Sequence, residues 1–153
     1  MNLVADACVA VKWYVREPGF EHAELLLAAR ADRIELCAPD IFVAETLNAL
    51  MRKVRLGQSN EGQVQQAADH LRQLAVPVVS TLLLMDRALR LATELNHGFH
   101  DCLYLACAEH ERAIFVTADD RFLRKIAAGL TSTRVVGLDE APDLLASLDP
   151  GHA

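Results

Sequence analysis

No run of about 20 apolar residues, the length a membrane-spanning helix requires, occurs in this sequence. Its first fifteen residues carry no basic leader, and Asp6 and Lys12 interrupt their apolar run, so they fit neither a signal peptide nor a span. A cytoplasmic protein is expected. The four cysteines (Cys8, Cys37, Cys102 and Cys107) form no Cys-x-x-Cys pair, which argues against a disulfide framework and for small apolar side chains. Positive charge is in deficit too: 15 Lys and Arg stand against 21 Asp and Glu, a net charge of −6. Holding nucleic acid by bulk electrostatics is thereby disfavoured. A nucleic-acid enzyme is not, because divalent cations can bridge an acidic site to a phosphodiester.

One stretch invites a zinc site. "HGFHDCLYLACAEH" gathers His97, His100, Cys102, Cys107 and His110. On a single helix, however, positions 102 and 107 point about 140° apart. At most Cys107 and His110 could share an ion, so a buried helix is the better reading.

What is present is enough apolar sequence for one core in 153 residues, with no linker, repeat or low-complexity segment. "NLVA" (2–5) reads as a short buried strand, followed by a helix near 20–30 and a second strand at 34–39. A helix over 40–57 is marked by Asp40 as a start cap, basic residues Arg52, Lys53 and Arg55 near its end, and Gly57 as a stop. Ser59 or Asn60 can cap a helix over 60–75, and 76–80 is extended. Helices follow at 83–96 and 100–111, then a β-branched strand at 113–117, a helix over 119–128, and a last strand at 133–138. The acidic end, 139–153, reads as a short helix and a loose tail of the same domain. Strands separated by helices predict parallel βαβ units in a three-layer α/β/α sandwich.

Ligands of an open parallel sheet bind beyond the carboxyl ends of its strands. Asp6 follows the first strand and Asp119 follows "AIFVT", so both reach the same sheet edge; Glu45 and Asp101 lie near the starts of helices opening there. Asp119 could equally cap the helix after it, and Asp101 could be a favourable first-turn charge. Glu45 stands among apolar neighbours with Asn48 one turn on. Asp6 has the weakest structural alternative, since no helix is expected for several residues after it. Two carboxylates about 4 Å apart repel by roughly 4 kcal/mol at an effective dielectric near 20. Four therefore need protons or a multivalent cation, and oxygen-only ligation favours Mg²⁺ or Mn²⁺.

In "VADACVAVKWYV", "PDIFVAETLNALMR", "FHDCLYLACAE" and "FVTADDRFL", the acids Asp6, Glu45, Asp101 and Asp119 with Thr117 resemble the four acidic motifs of the PIN domain, in the form found in VapC-type toxins. The resemblance runs from Leu3 to about Val136, within an expected domain of residues 1–138. It implies a central parallel sheet of order 3-2-1-4-5 and a Mg²⁺- or Mn²⁺-dependent endoribonuclease that hydrolyses RNA with a metal-activated water. By position, Asp6, Asp101 and Asp119 would hold metal, Glu45 would act through water, Thr117 would support the site, and Asn48 would orient Glu45 or substrate. It further implies a homodimer, and a heterotetramer or larger assembly with a small VapB-type antitoxin whose C-terminal segment enters the acidic groove. Basic residues such as Lys12, Arg52 and Lys53 could line an RNA track or merely end solvated helices. One departure from the family stands out: Cys8 replaces the usual Ser or Thr two residues after the first Asp, and a thiol donates only weakly. That substitution motivates an alternative, a catalytically silent PIN-like module that binds an antitoxin or RNA.

Overall fold

The computed structural model describes residues 1–127, 129 and 131–148; the far end of the expected tail, 149–153, lies outside them. Five strands, β1 (Asn2–Ala5), β2 (Glu35–Pro39), β3 (Val78–Val79), β4 (Ile114–Thr117) and β5 (Val135–Gly137), form one parallel sheet in the order β3-β2-β1-β4-β5. β1 is central, with Leu3 aligned to Leu36 on one side and Ile114 on the other. That position explains its unbroken apolar run, because both of its faces are covered.

Alternation along β1 sorts the two layers. Leu3 and Ala5 face α2 (Phe20–Ala29) and α8 (Ala141–Ala146), where Leu26, Leu144 and Leu145 are buried with Val116 and Val136. Val4 and Phe115 face the opposite layer, α5 (Thr81–Leu95) and α6 (Phe99–Glu111), with Leu91, Leu103 and Tyr104. α6 is buried without interruption from Cys102 to Ala108, so the stretch that suggested zinc is a core helix. All four cysteines are free thiols. α3 (Phe42–Arg55) and α4 (Glu61–Leu74) complete the molecule and pack together through Leu50, Val64 and Ala67.

Local chemistry sets the boundaries, with two corrections to the sequence reading. Asn60 caps α4 through Gln63 in a reciprocal capping box. Asp40 does not cap α3; Ile41 occupies the cap position without a side-chain bond. The Asp40 carboxylate instead accepts the backbone N–H of Thr81 at 3.0 Å and the Thr81 hydroxyl, at the start of α5. The second correction concerns residues after β1: Ala7–Val11 form a short helix, α1, and Asp6 is its N-cap. Among the described residues no helix is long and apolar enough to cross a membrane.

Candidate active site

Asp6 is placed by two elements at once. Its backbone N–H donates to Val116 O at 3.0 Å, extending the β1–β4 ladder by one step, and its side chain then turns out at the sheet edge. The carboxylate accepts the Thr117 hydroxyl at 2.8 Å and, more loosely, the Cys8 N–H at 3.4 Å. Only 4% of the residue is exposed. Burial pushes its pKa up to about 6; the Thr117 hydrogen bond pulls the other way and the nearby Asp101 charge adds to the rise.

A second acid arrives from β4. Asp119 caps α7 (Asp120–Ile126), accepting the Phe122 N–H at 2.9 Å, while its own N–H donates to Thr117 Oγ1 at 3.1 Å. The capping use anticipated for Asp119 is therefore real, and it leaves the second carboxylate oxygen pointing toward α6. Thr117, fully buried, stands behind Asp6 and Asp119 and links them. Asp101 lies in the first turn of α6, and Glu45 in the first turn of α3.

These four acids line one cleft of about 360 Å³, together with Asn48, Lys12, Glu17, Arg52 and Lys53. The cleft lining thus includes all four acids, and of these Asp101 and Asp119 bring carboxylate oxygens within 4.8 Å of each other. Asn48 makes no side-chain hydrogen bond among the described residues and is free to meet a ligand; Glu45 is instead approached by His100, whose Nδ1 lies 3.1 Å from its Oε1. At the opposite rim Glu17 pairs with Lys12 at 2.8 Å and with Lys53, which holds two cations beside the acids. Burial raises the Glu17 pKa, but these two lysines more than offset that and hold it below the usual range.

Cys8 sits beneath Asp6. Its Sγ receives the Ala118 N–H at 3.3 Å and lies 3.5 Å from Thr117 Oγ1. Burial, with the adjacent Asp6 charge, pushes this thiol well above its ordinary pKa, so it stays protonated near neutral pH and is no nucleophile. Residue 8 therefore keeps a packing and accepting role around Thr117 even without a hydroxyl.

Sequence reasoning overlooked two buried polar groups behind the lining acids. Tyr104 is buried and its hydroxyl has no hydrogen-bond partner; burial, then the neighbouring Glu45 charge, pushes its pKa up. His97 belongs to the stretch that suggests zinc, and its informative relation is the spacing of four from Asp101. Its Nε2 and carboxylate oxygens of Asp101 and Asp119 lie within 4.8 Å of one another, an arrangement able to hold a metal ion.

The PIN-domain model matches residues 3–128. The chain belongs to the PIN-domain family. PIN-like architecture is also found in solved structures. VapBC2 from Rickettsia felis, bound to a DNA fragment from its promoter, aligns with a TM-score of 0.66 at 17% identity, over 90% of this chain and 98% of that one. A Pyrobaculum aerophilum protein aligns at 0.67 and 20% identity, over 96% and 90%. Mycobacterium tuberculosis VapC20, a sarcin-ricin loop cleaving toxin, aligns at 0.65 and 17%, over 86% and 98%. At such identities the likeness speaks to the fold. No curated protein sequence matches the chain.

Proposed function

We propose that this PIN domain is a divalent-metal-dependent endoribonuclease, the toxin of a VapBC-type pair, acting in the cytoplasm. The observation that carries the reading is the convergence of Asp6, Glu45, Asp101 and Asp119 in one cleft at the carboxyl edge of the sheet. The residues fit a cation: a carboxylate as buried as Asp6 beside Asp101 is costly without a countercharge, and the buried His97 Nε2, which has no hydrogen-bond partner, lies 2.8 Å from Asp101. Asp6, Asp101 and Asp119 would hold Mg²⁺ or Mn²⁺ directly, with Glu45 reaching it through water. When bound, such an ion supplies polarisation of a phosphoryl oxygen and acidification of water.

The chain's own groups do the remainder. Thr117 fixes one oxygen of Asp6 by donating to it, which leaves a defined face of the carboxylate toward the cleft. Glu45, one-quarter exposed, would take a proton from the attacking water, and His100, 3.1 Å from it, would offer a path for that proton to solvent. Lys12, Arg52 and Lys53 on the rim attract the RNA backbone locally despite the negative net charge. Residues 1–138 with the following helix serve as one domain in this reading. A small antitoxin whose C-terminal segment enters the same cleft, and a toxin homodimer within a heterotetramer or larger complex, complete the proposal.

Incubation of the purified chain with structured RNA and Mg²⁺ or Mn²⁺, beside Asp6→Asn, tests it. Cleavage by the wild type that is lost in the variant and in EDTA is expected. Equal cleavage by both proteins refutes the mechanism, and no cleavage across several RNAs favours the silent module.

A further inference from the structure

Of the two buried polar groups behind the acids, His97 is the one within reach of two carboxylates. His97 lies between α5 and α6, its side chain is 7% exposed, and its ring lies flat on Phe122 with centroids 4.2 Å apart and planes within 7°. Phe122 is the residue whose N–H binds Asp119, so the ring and that carboxylate are fixed by the same neighbour. Nε2 has no hydrogen-bond partner, although Asp101 Oδ2 is 2.8 Å away and Asp119 Oδ2 is 4.0 Å away. The separation from Asp101 suits a hydrogen bond, but the alignment that one requires is not met.

A shared cation accounts for both features. On an octahedral ion with bonds of about 2.1 Å, adjacent donors stand about 3.0 Å apart, opposite donors about 4.2 Å, and each lone pair points about 45° away from the adjacent donor. The two distances from Nε2 correspond to that frame, and its misaligned axis is what an ion between the donors would require. A Cβ at Gly98 would come within 3.2 Å of Asp101 Oδ2, so the backbone between the two ligand positions approaches the carboxylate closely.

We propose that His97 Nε2 is a direct ligand at this site, forming with Asp101 and Asp119 a mixed nitrogen and oxygen set that favours first-row transition ions over Mg²⁺. This rests on the metal-dependent reading above. Mg²⁺ takes oxygen donors almost throughout, whereas imidazole is a good donor to transition ions. The stacked, desolvated ring is already oriented before an ion arrives, so little order is lost on binding.

Mn²⁺ binding to the full chain, followed by pulsed EPR, reads the ligand atoms directly. The wild type should show coupling to a bound ¹⁴N that changes on labelling with ¹⁵N-histidine. His97→Gln should lose it, and calorimetry should find its preference for Mn²⁺ over Mg²⁺ reduced about tenfold or more. His100→Gln should retain the coupling, which separates the two imidazoles near the cleft even if the His97 variant fails to fold. Mn²⁺ bound without nitrogen coupling, coupling that survives His97→Gln, or coupling lost in His100→Gln overturns the assignment and leaves the acid site intact. Absence of Mn²⁺ binding by the wild type overturns the metal-dependent reading as well.

Discussion

Replacing Asp6 by Asn removes a charge from a carboxyl that is 4% exposed and has a pKa pushed up to about 6 by burial. The rise from the ordinary value of 3.8 corresponds to about 3 kcal/mol held against the ionised form at neutral pH, using 1.36 kcal/mol per unit. Asn escapes that cost. Its amide NH₂ must face one of the two donors that Asp6 accepts, the Thr117 hydroxyl or the Cys8 N–H, and the mismatch returns about 1 kcal/mol. Without metal the variant should therefore be more stable by about 2 kcal/mol at pH 7.5. For a chain of this length that is a rise in melting temperature of about 4–8 °C.

The pH dependence has a definite sign. The folded pKa lies above the unfolded one, so the folded chain holds an extra proton between about pH 4 and 6. Wild-type stability falls as pH rises through that window, and the loss is complete above it. The advantage of Asn should thus be full at pH 7.5 and vanish near about pH 4.5. Adding Mn²⁺ or Mg²⁺ should reverse the order, because an ion that binds only the folded chain stabilises it by RT ln(1 + c/Kd) at free ion concentration c, and the wild type binds it more tightly. Thermal melts by circular dichroism in EDTA at the two pH values, then with divalent ion, make the measurement. An Asp6→Asn melting temperature below that of the wild type in EDTA at pH 7.5 would show that Asp6 is a structural hydrogen-bond hub and refute the reasoning.

Two further substitutions probe the surroundings. Cys8→Ser supplies a hydroxyl able to donate to Thr117 Oγ1, strengthening the Thr117 bond to Asp6; the Asp6 pKa should fall below about 6 in a carbon-detected NMR titration, and an unchanged or higher value would remove residue 8 from the support of the site. Glu109→Ala should lower the urea midpoint by the equivalent of about 1–2 kcal/mol, because Glu109 accepts two bonds from Arg87, at 2.6 and 2.9 Å, and one from Thr131 at 2.6 Å, joining α5, α6 and the segment before β5. Burial raises the Glu109 pKa, but Arg87 and Thr131 outweigh it and hold it low, so this difference should close as the pH falls below the usual glutamate value of 4.5.

The parallel sheet and the arrival of the acids at one edge of it were legible because they depend on long-range regularities: continuous apolar strands, parallel connections and the common carboxyl edge; the strand order came only with the resemblance to the PIN domain. Short-range choices were harder. Ala7–Val11 is a helix of five residues containing Val9 and Val11, too short for a 3.6-residue period to show and β-branched enough to look like a continued strand. Asp6 was consequently denied a capping role that it has. Asp40 precedes a helix and looks like a cap, yet the nearer demand is the exposed start of α5, a partner 41 positions away that no local pattern announces.

His97 shows the same limit from the functional side. A shared helix face singles out Cys107 and His110, both on α6, and passes over a histidine that precedes the helix. Its partners come from the first turn of α6 and from the end of β4, and its orientation comes from Phe122 on α7. A capping use does not exclude a ligand role for the same acid: Asp6 and Asp119 each give one oxygen to a helix N–H, which orients the carboxylate that faces the cleft. The helix starts thus position the acids, and the cap bond from Cys8 pulls the Asp6 pKa down while burial raises it further than that bond offsets.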